Sequence, residues 1–364
     1  MKLLHLSDLH LGIRVNEYSL IEDQRYILNA ILEIAQQERV DTIIIAGDIY
    51  DKAVPSGEAV ELFDDFLTKI VRLRIPTFIS AGNHDSAQRL CFGANIMSAE
   101  GIYISPVFTG EITPVRIHDN FGPINIYCLP YMRHNKVIEF MEGVTINTEE
   151  RNILVAHQFV TGAQKCDSEE ITIGGADNID AAVFAGFDYV ALGHLHRPQN
   201  ISAKNKIRYC GTPLKYSFSE VNDTKSVTVI EMAEKGNIQI DTIPLTPMRD
   251  MKEIKGTYNQ LMSYDYYKDT TYTDDYMHIT LTDEEDIPDA IGRLRTVYTN
   301  LMRLDYDNIR TRNSNIIEAD CNVQEKTPNE LFGDFYKLQN NRDMTDEQQT
   351  FVSEIIAKIW EEDI

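Results

Sequence analysis

The chain has 364 residues, 43% hydrophobic and 25% charged, with a formal net charge of −23. That length suits one large domain with smaller ones beside it, and no apolar run approaches the ~20 residues that span a bilayer. So acidic a composition argues against a free-standing nucleic-acid binder with its own basic footprint. Residues 251–364, with 12 Lys+Arg against 24 Asp+Glu, are the denser in negative charge. Such acidity either serves solubility or leaves the positive surface to a partner. Cys91, Cys128, Cys166, Cys210 and Cys321 are odd in number and lack a C-x-x-C pair. This argues against a disulfide framework or a thiolate zinc site and fits a reducing, cytoplasmic setting.

The opening "MKLLHLSDLH" is too short in its apolar part to be a secretory signal, and "KLLHL" reads instead as a buried strand running into "SDLHLG". A helix follows, with Leu20, Ile27, Ile31, Ile34 and Ala35 on one face. "DTIIIA" is a second strand, running into "GDIYD". A second helix carries the stripe Val60, Phe63, Leu67 and Ile70. "PTFISA" then runs into "GNHD", "NILVA" into "HQF", and "YVAL" into "GHLHRP". Around residues 101–131 and 207–232 strand-like runs follow one another with little helix between. Alternating strands and helices predict a layered α/β domain, in which functional groups gather beyond strand carboxyl ends.

Near residue 247 the composition shifts to a polar, Tyr-rich stretch that reads as a connection or a divergent edge. "MHITLT", a helix from about 286 to 300 with Ile287, Ile291, Leu294, Val297 or Tyr298, and Leu301 on one face, and "LMRLDYD" predict a small β-α-β domain. The expected division is 1–246, 247–324 and 325–364. In the tail, Thr327-Pro328-Asn329-Glu330 and the Thr345–Gln348 capping box start two short helices. Phe351, Val352, Ile355, Ile356, Ile359 and Trp360 form a wide apolar stripe on the second. The stripe either folds back on its own domain or docks a partner, and the presence of the only Trp favours docking.

The strand-end clusters make one set. Asp8 and His10 are spaced D-x-H, Asp48 and Asp51 fall in G-D-x-x-D, and Asn83, His84 and Asp85 follow a third strand. His157 stands after a fourth, and His194 and His196 form G-H-x-H. In extended chain, residues i and i+2 point the same way, so each such pair can enter one pocket. Carboxylate, imidazole and amide donors without thiolate suit Mn²⁺, Fe²⁺ or Zn²⁺. Asp8, His10, Asp48, Asn83, His157, His194 and His196 are too many for one tetrahedral ion and fit two ions sharing a carboxylate. His5, His118, His134 and His278 lack such a setting and read as structural.

These motifs, over about residues 1–245, resemble the signature of calcineurin-like metallophosphoesterases. The resemblance implies a four-layer α-β-β-α sandwich, here with a small α+β capping domain and C-terminal helices. It assigns Asp8, His10, Asp48 and His196 to one divalent ion, and Asp48, Asn83, His157 and His194 to the other, with Asp48 bridging. A hydroxide activated by the two metals would attack phosphorus. His84 would act at the scissile phosphate, oriented by Asp51. Asp85 stands where many relatives have Glu and is assigned no role. "GDIYDKAVPSGEA", "GNHDSAQRL", "LGHLHRPQ" and "YCGTPLKYSFSE" narrow the resemblance to the SbcD nuclease subunits of bacterial SbcC–SbcD complexes. That family implies Mn²⁺-dependent DNA cleavage, a homodimer, and an SbcC-type coiled-coil ATPase gating access, met by Phe351, Ile355, Ile359 and Trp360. Arg89 and Arg197, beside the motifs, would contact DNA or else pair with neighbouring carboxylates. The other readings are a stand-alone phosphodiesterase or phosphatase for small substrates, and a scaffold that has lost catalysis. No ligand is missing from the set, which speaks against the scaffold.

Overall fold

A computed structural model describes residues 1–105, 107–163, 179–201 and 206–312, and scattered positions of the tail. The chain divides into two units, Met1–Met251 and Lys252–Ile364.

The first unit is built on two six-stranded sheets. One runs Ile238–Pro244, Ser226–Met232, Lys2–Leu6, Thr42–Ala46, Thr77–Ser80, Ile102–Ile104; the other runs Gln199–Asn200, Ile207–Tyr209, Tyr189–Gly193, Arg151–His157, Gly122–Leu129, Val115–Asp119. Four neighbouring strands of each sheet are parallel, and antiparallel strands complete the edges. Strands buried on both faces read as unbroken apolar runs, which is why "TIIIA" and "NILVA" show no alternation.

Alternation assigns the faces all the same. Leu3, Ile44, Ala46 and Phe78 of the first sheet meet Ile126, Ile153, Val155, Tyr189 and Ala191 of the second in a shared core. Their neighbours Leu4, Leu6, Ile43, Ile45 and Ile79 are also buried and face outward, toward the layer of the helices Ile21–Gln37 and Gly57–Leu73. On the outer side of the second sheet, Leu129, Leu154, Ala156, Val190 and Leu192 pack with Val137 and Phe140 of the helix His134–Gly143. Four layers result, α-β-β-α.

The helix Gly57–Leu73 starts where Ser56 Oγ accepts the Ala59 amide at 3.2 Å. Its buried face is Ala59, Leu62, Phe63, Phe66 and Ile70, which keeps Phe63 and Ile70 of the expected stripe but not Leu67 or Val60, the latter 46% exposed. With Leu62, Phe63, Phe66 and Leu67 all apolar, periodicity alone left two faces open, and packing chose between them.

The second unit has a three-stranded sheet, Met251–Gly256, Tyr276–Leu281 and Leu301–Tyr306, the last two parallel. Of the two expected alternatives the Tyr-rich stretch is therefore an edge and not a connection. It supplies the first strand and two helical turns, and Tyr258, Tyr266, Tyr267 and Tyr272 pack on the unit's core. Charged Lys252, Glu253 and Lys255, of which Glu253 and Lys255 are exposed, masked that strand. The expected helix over 286–300 shrinks to Ala290–Leu294. Pro288 and a left-handed Asp289 (φ 50°) delay its start, and Ile291 is exposed rather than on the buried face. In the tail, the Thr345 amide donates to Gln348 Oε1 at 3.0 Å and the Gln348 amide to Thr345 Oγ1 at 3.4 Å, so the capping box forms. Phe351 and Ile355 are exposed. Ile359, Trp360 and the Thr327-Pro328 start lie outside the described residues.

A buried ion pair holds the far end of the sandwich. Arg151, 2% exposed, donates to both carboxylate oxygens of Asp119 and to the Gly122 and Ala233 carbonyls. The guanidinium holds Asp119 well below the usual carboxylate range. Asp119→Asn should lower unfolding free energy at neutral pH by about 3 kcal/mol, since it strands a buried cation. The depressed pKa means that this contribution is complete above about pH 4 and fades as pH falls further. The gap between variant and parent in denaturant titrations should therefore narrow in acid.

Candidate metal centre

The motif residues sit on loops beyond strand carboxyl ends, except His157, which ends its strand, and the backbone there is unusual. Asp8, His10, Asp48 and His194 all adopt positive φ, at 52°, 43°, 50° and 102°. Such conformations are costly for residues with a Cβ and persist only where surroundings enforce them. The enforcement is visible. The Asp8 amide donates to the Gly47 carbonyl and the His10 amide to the Asp48 carbonyl, which zips the first two loops together. Asp8 Oδ1 accepts the His194 amide at 2.9 Å, and Asp48 Oδ1 accepts the His84 amide at 2.8 Å. Gly82 is required because a Cβ there would lie 2.1 Å from Asp48 Oδ1.

The remaining side-chain atoms converge. His157 Nδ1 donates to the Ala46 carbonyl at 2.9 Å, which leaves Nε2 as the acceptor nitrogen of the neutral ring. That Nε2 lies 2.9 Å from Asn83 Oδ1 and 3.1 Å from Asp48 Oδ2, and His194 Nδ1 lies 3.0 Å from the same Asn83 oxygen. Asp48 Oδ2 is also 3.6 Å from His10 Nε2, so one carboxylate oxygen faces both halves of the cluster. Three groups have ligand atoms within 4.8 Å of one another: Asp8, His10 and His196; Asp8, Asp48 and His157; and His10, Asp48 and His84.

These residues fit divalent cations. Asp8 Oδ2 and both ring nitrogens of His10 are buried with no hydrogen-bond partner, a costly arrangement unless an ion completes it. Burial pushes the Asp8 carboxyl up to about 7 and His10 down to about 4. Burial, His10 and Lys225 hold His196 well below the ordinary imidazole value, leaving it neutral with a lone pair to offer. Burial opposes charge on Asp48 and His157 too, but their mutual attraction outweighs it. Asp48 is held far down and His157 rises to about 9. A cation at Asp48 would compete with that proton.

His84 stands against His10 with ring centroids 4.8 Å apart. Asp51 reaches it through its main chain: the Asp51 carbonyl is 2.8 Å from His84 Nδ1, where the sequence suggested the carboxylate. The two arginines are tethered. Arg89 donates to the Ala53 carbonyl at 2.9 Å, and Arg197 Nε pairs with both oxygens of Asp223.

Sequence reasoning missed a tier of holding groups. Asp85 accepts the amides of Ile49, Tyr50 and Gly82 at 3.1, 3.0 and 2.9 Å, tying the Asp48 loop to the Asn83 loop. Burial and Asp48 push its pKa up to about 6, against the pull of those amides. Gln24 Nε2 donates to the Leu9 and His10 carbonyls, and the Tyr216 hydroxyl donates to Leu9. Tyr131 and Phe159 flank the His194 ring. Of these, only the D after "GNH" carried a local signal. The others come from distant positions whose relevance appears only on folding.

Residues 1–198 match the calcineurin-like phosphoesterase family. Residues 247–340 match the SbcD_C domain, described as the type 5 capsule protein repressor C-terminal domain. Among solved structures, the protein TT1561 of Thermus thermophilus aligns over 66% of this chain and 98% of its own, at 11% identity and a TM-score of 0.40. A dimetal phosphatase from Danio rerio aligns over 68% and 98%, at 8% identity and a TM-score of 0.40. The chain belongs to the calcineurin-like phosphoesterase family and is a metal-dependent phosphoester hydrolase. Its pairing of that domain with SbcD_C is consistent with an SbcD nuclease subunit. No helix among the described residues is long and apolar enough to cross a membrane.

Asp85→Asn keeps the side-chain shape but turns an NH₂ toward amides that need an acceptor. The variant should bind Mn²⁺ at least about tenfold more weakly in a calorimetric titration, as expected when a group supporting the ligands is lost.

Proposed function

We propose that the chain is the nuclease subunit of an SbcC–SbcD-type DNA repair and recombination complex, with single-strand endonuclease and double-strand 3′-to-5′ exonuclease activity. The charge on the loops beyond the strand ends carries this reading. Arg14, Lys52, Arg89 and Arg133 lie in the segments that follow four of the strands, Arg14 in the short strand Arg14–Val15 and Arg89 in the helical turn Ala87–Leu90. All four are exposed, and none pairs with a carboxylate among the described residues. In a chain of net charge −23, four exposed cations without carboxylate partners around one centre suit a repeating phosphate backbone better than one small phosphomonoester.

Asp8, His10, Asp48 and His196 would hold one ion, and Asp48, Asn83, His157 and His194 the other. Two divalent ions there, Mn²⁺ by preference, would lower the pKa of water and neutralise phosphate oxygens. The protein's own groups orient and protonate. His84, with Nδ1 committed to the Asp51 carbonyl, offers Nε2 to stabilise the charge on phosphorus or to deliver a proton to the leaving oxygen. Asp85 keeps Asp48 and Asn83 in register, and the four cations hold the backbone.

The acidity of the remainder suits a subunit whose partner supplies most of the DNA-binding surface. A coiled-coil ATPase of the SbcC type would dock on Phe351, Ile355, Ile359 and Trp360 and gate access with ATP. Phe92 and Ile96, 85% and 78% exposed just after the Asn83 loop, offer an apolar surface for a homodimer. The setting would be cytoplasmic.

Circular single-stranded DNA, incubated with the purified chain and Mn²⁺, should be cut, and a chelator should stop the cutting. If fully metal-loaded protein leaves this DNA intact but hydrolyses small phosphodiesters, the nuclease reading is wrong. His84→Gln should reduce cleavage by about 10²–10⁴-fold while Mn²⁺ binding stays at the parent level. Cleavage by the loaded variant at the parent rate would remove His84 from the chemistry.

A further inference from the structure

Behind the His194–His196 loop lies a buried ion pair with no part in the chemistry above. Lys225 is 5% exposed and Glu220 is fully buried. The ammonium has three donors and fills all three. It donates to the His196 carbonyl at 2.8 Å, to Thr212 Oγ1 at 2.8 Å and to Glu220 Oε2. Burying two charges is unfavourable, and an apolar pair of similar volume would stabilise the fold at least as well. The contacts that an apolar pair could not make are those to the His196 carbonyl and to Thr212, whose own amide donates to that same carbonyl.

Other groups hold the loop at the same point. The His196 carbonyl also accepts the Thr212 amide at 3.2 Å. A Cβ on Gly211 would meet that carbonyl at 2.6 Å, so the turn lies directly against it. From the same segment, the Tyr216 ring stands edge-on to His10 at 5.8 Å and to His196 at 6.2 Å, and its hydroxyl holds the Leu9 carbonyl. Residues 211–225 therefore bracket His10 and His196, on the Asp8 side of the cluster. The Asn83, His157 and His194 side is held by other groups, Asp85 and the Ala46 carbonyl.

We infer that Lys225, balanced by Glu220, is a positioning residue for one of the two ions, acting through the His196 main chain on the Asp8–His10–His196 site and leaving the other site alone. The inference rests on the two-ion reading of the centre.

Lys225→Met by itself would remove the cation beside the buried Glu220 carboxylate and could unfold the chain. The informative protein is therefore Lys225→Met with Glu220→Leu, which removes both charges. Calorimetric Mn²⁺ titrations of the parent judge the centre itself, and two bound ions are expected. In the double variant, one ion should bind about 10–100-fold more weakly and the other as in the parent. Adding His196→Ala to the double variant should weaken the affected site little beyond what His196→Ala does alone, because both act through one residue. Two sites unchanged in a cooperatively folding double variant, or both weakened equally, would overturn the inference. A parent that binds fewer than two ions would overturn the two-ion centre, and the inference with it.

Discussion

At Gly193 there is no room for a methyl group. A Cβ would stand 1.9 Å from the Ala46 carbonyl and 2.7 Å from His157 Nδ1, and one on Gly47 would stand 2.4 Å from that same nitrogen. The two sheets of the first unit thus approach to backbone contact at their carboxyl ends. The hydrogen bond from His157 to Ala46 crosses that seam. Only at such proximity can Asp8 and Asp48 of one sheet share a centre with His157 and His194 of the other. The rest of the core, apolar and close-packed, sets the spacing from which this approach follows.

The centre is costly to the fold in several ways. Four candidate ligand residues are held at positive φ, carboxylates and imidazoles are buried together, and Asp8 Oδ2 and both His10 ring nitrogens have no hydrogen-bond partner. Each feature would destabilise an ordinary core. Together they describe a cavity of lone pairs whose missing partner is a cation, and the surrounding amides and carbonyls are committed to fixing its walls. Strain at the ligands and order in the groups behind them are two sides of one arrangement.

Charge is distributed on two scales. The whole chain is strongly acidic, yet the loops around the centre carry exposed arginines and lysines without carboxylate partners among the described residues. Long-range repulsion of a polyanion and short-range attraction at the site can coexist because ions screen the first over about 8 Å at physiological salt.

The cluster of candidate ligands was legible in the sequence because each motif is local. D-x-H, G-D-x-x-D, G-N-H-D and G-H-x-H each lie within five residues, and the β-branched runs before them announce the strands that present them. The layered α/β class followed from the same alternation. The strand Met251–Gly256 was legible only as one of two alternatives, an edge, because charged Lys252, Glu253 and Lys255 leave Ile254 as the one apolar side chain it gives the unit's core. The choice of helix face at Val60 was not legible, because apolar residues crowd two sides. Asp85, Gln24, Tyr216 and Lys225 act on backbone atoms of segments up to about 200 residues away, and a contact with a carbonyl or amide leaves no mark on the identity of the residue contacted. The sequence by itself determined which side chains offer lone pairs to a metal. Tertiary structure alone decided how they are held, because main-chain hydrogen bonds between distant loops depend on position and not on residue type.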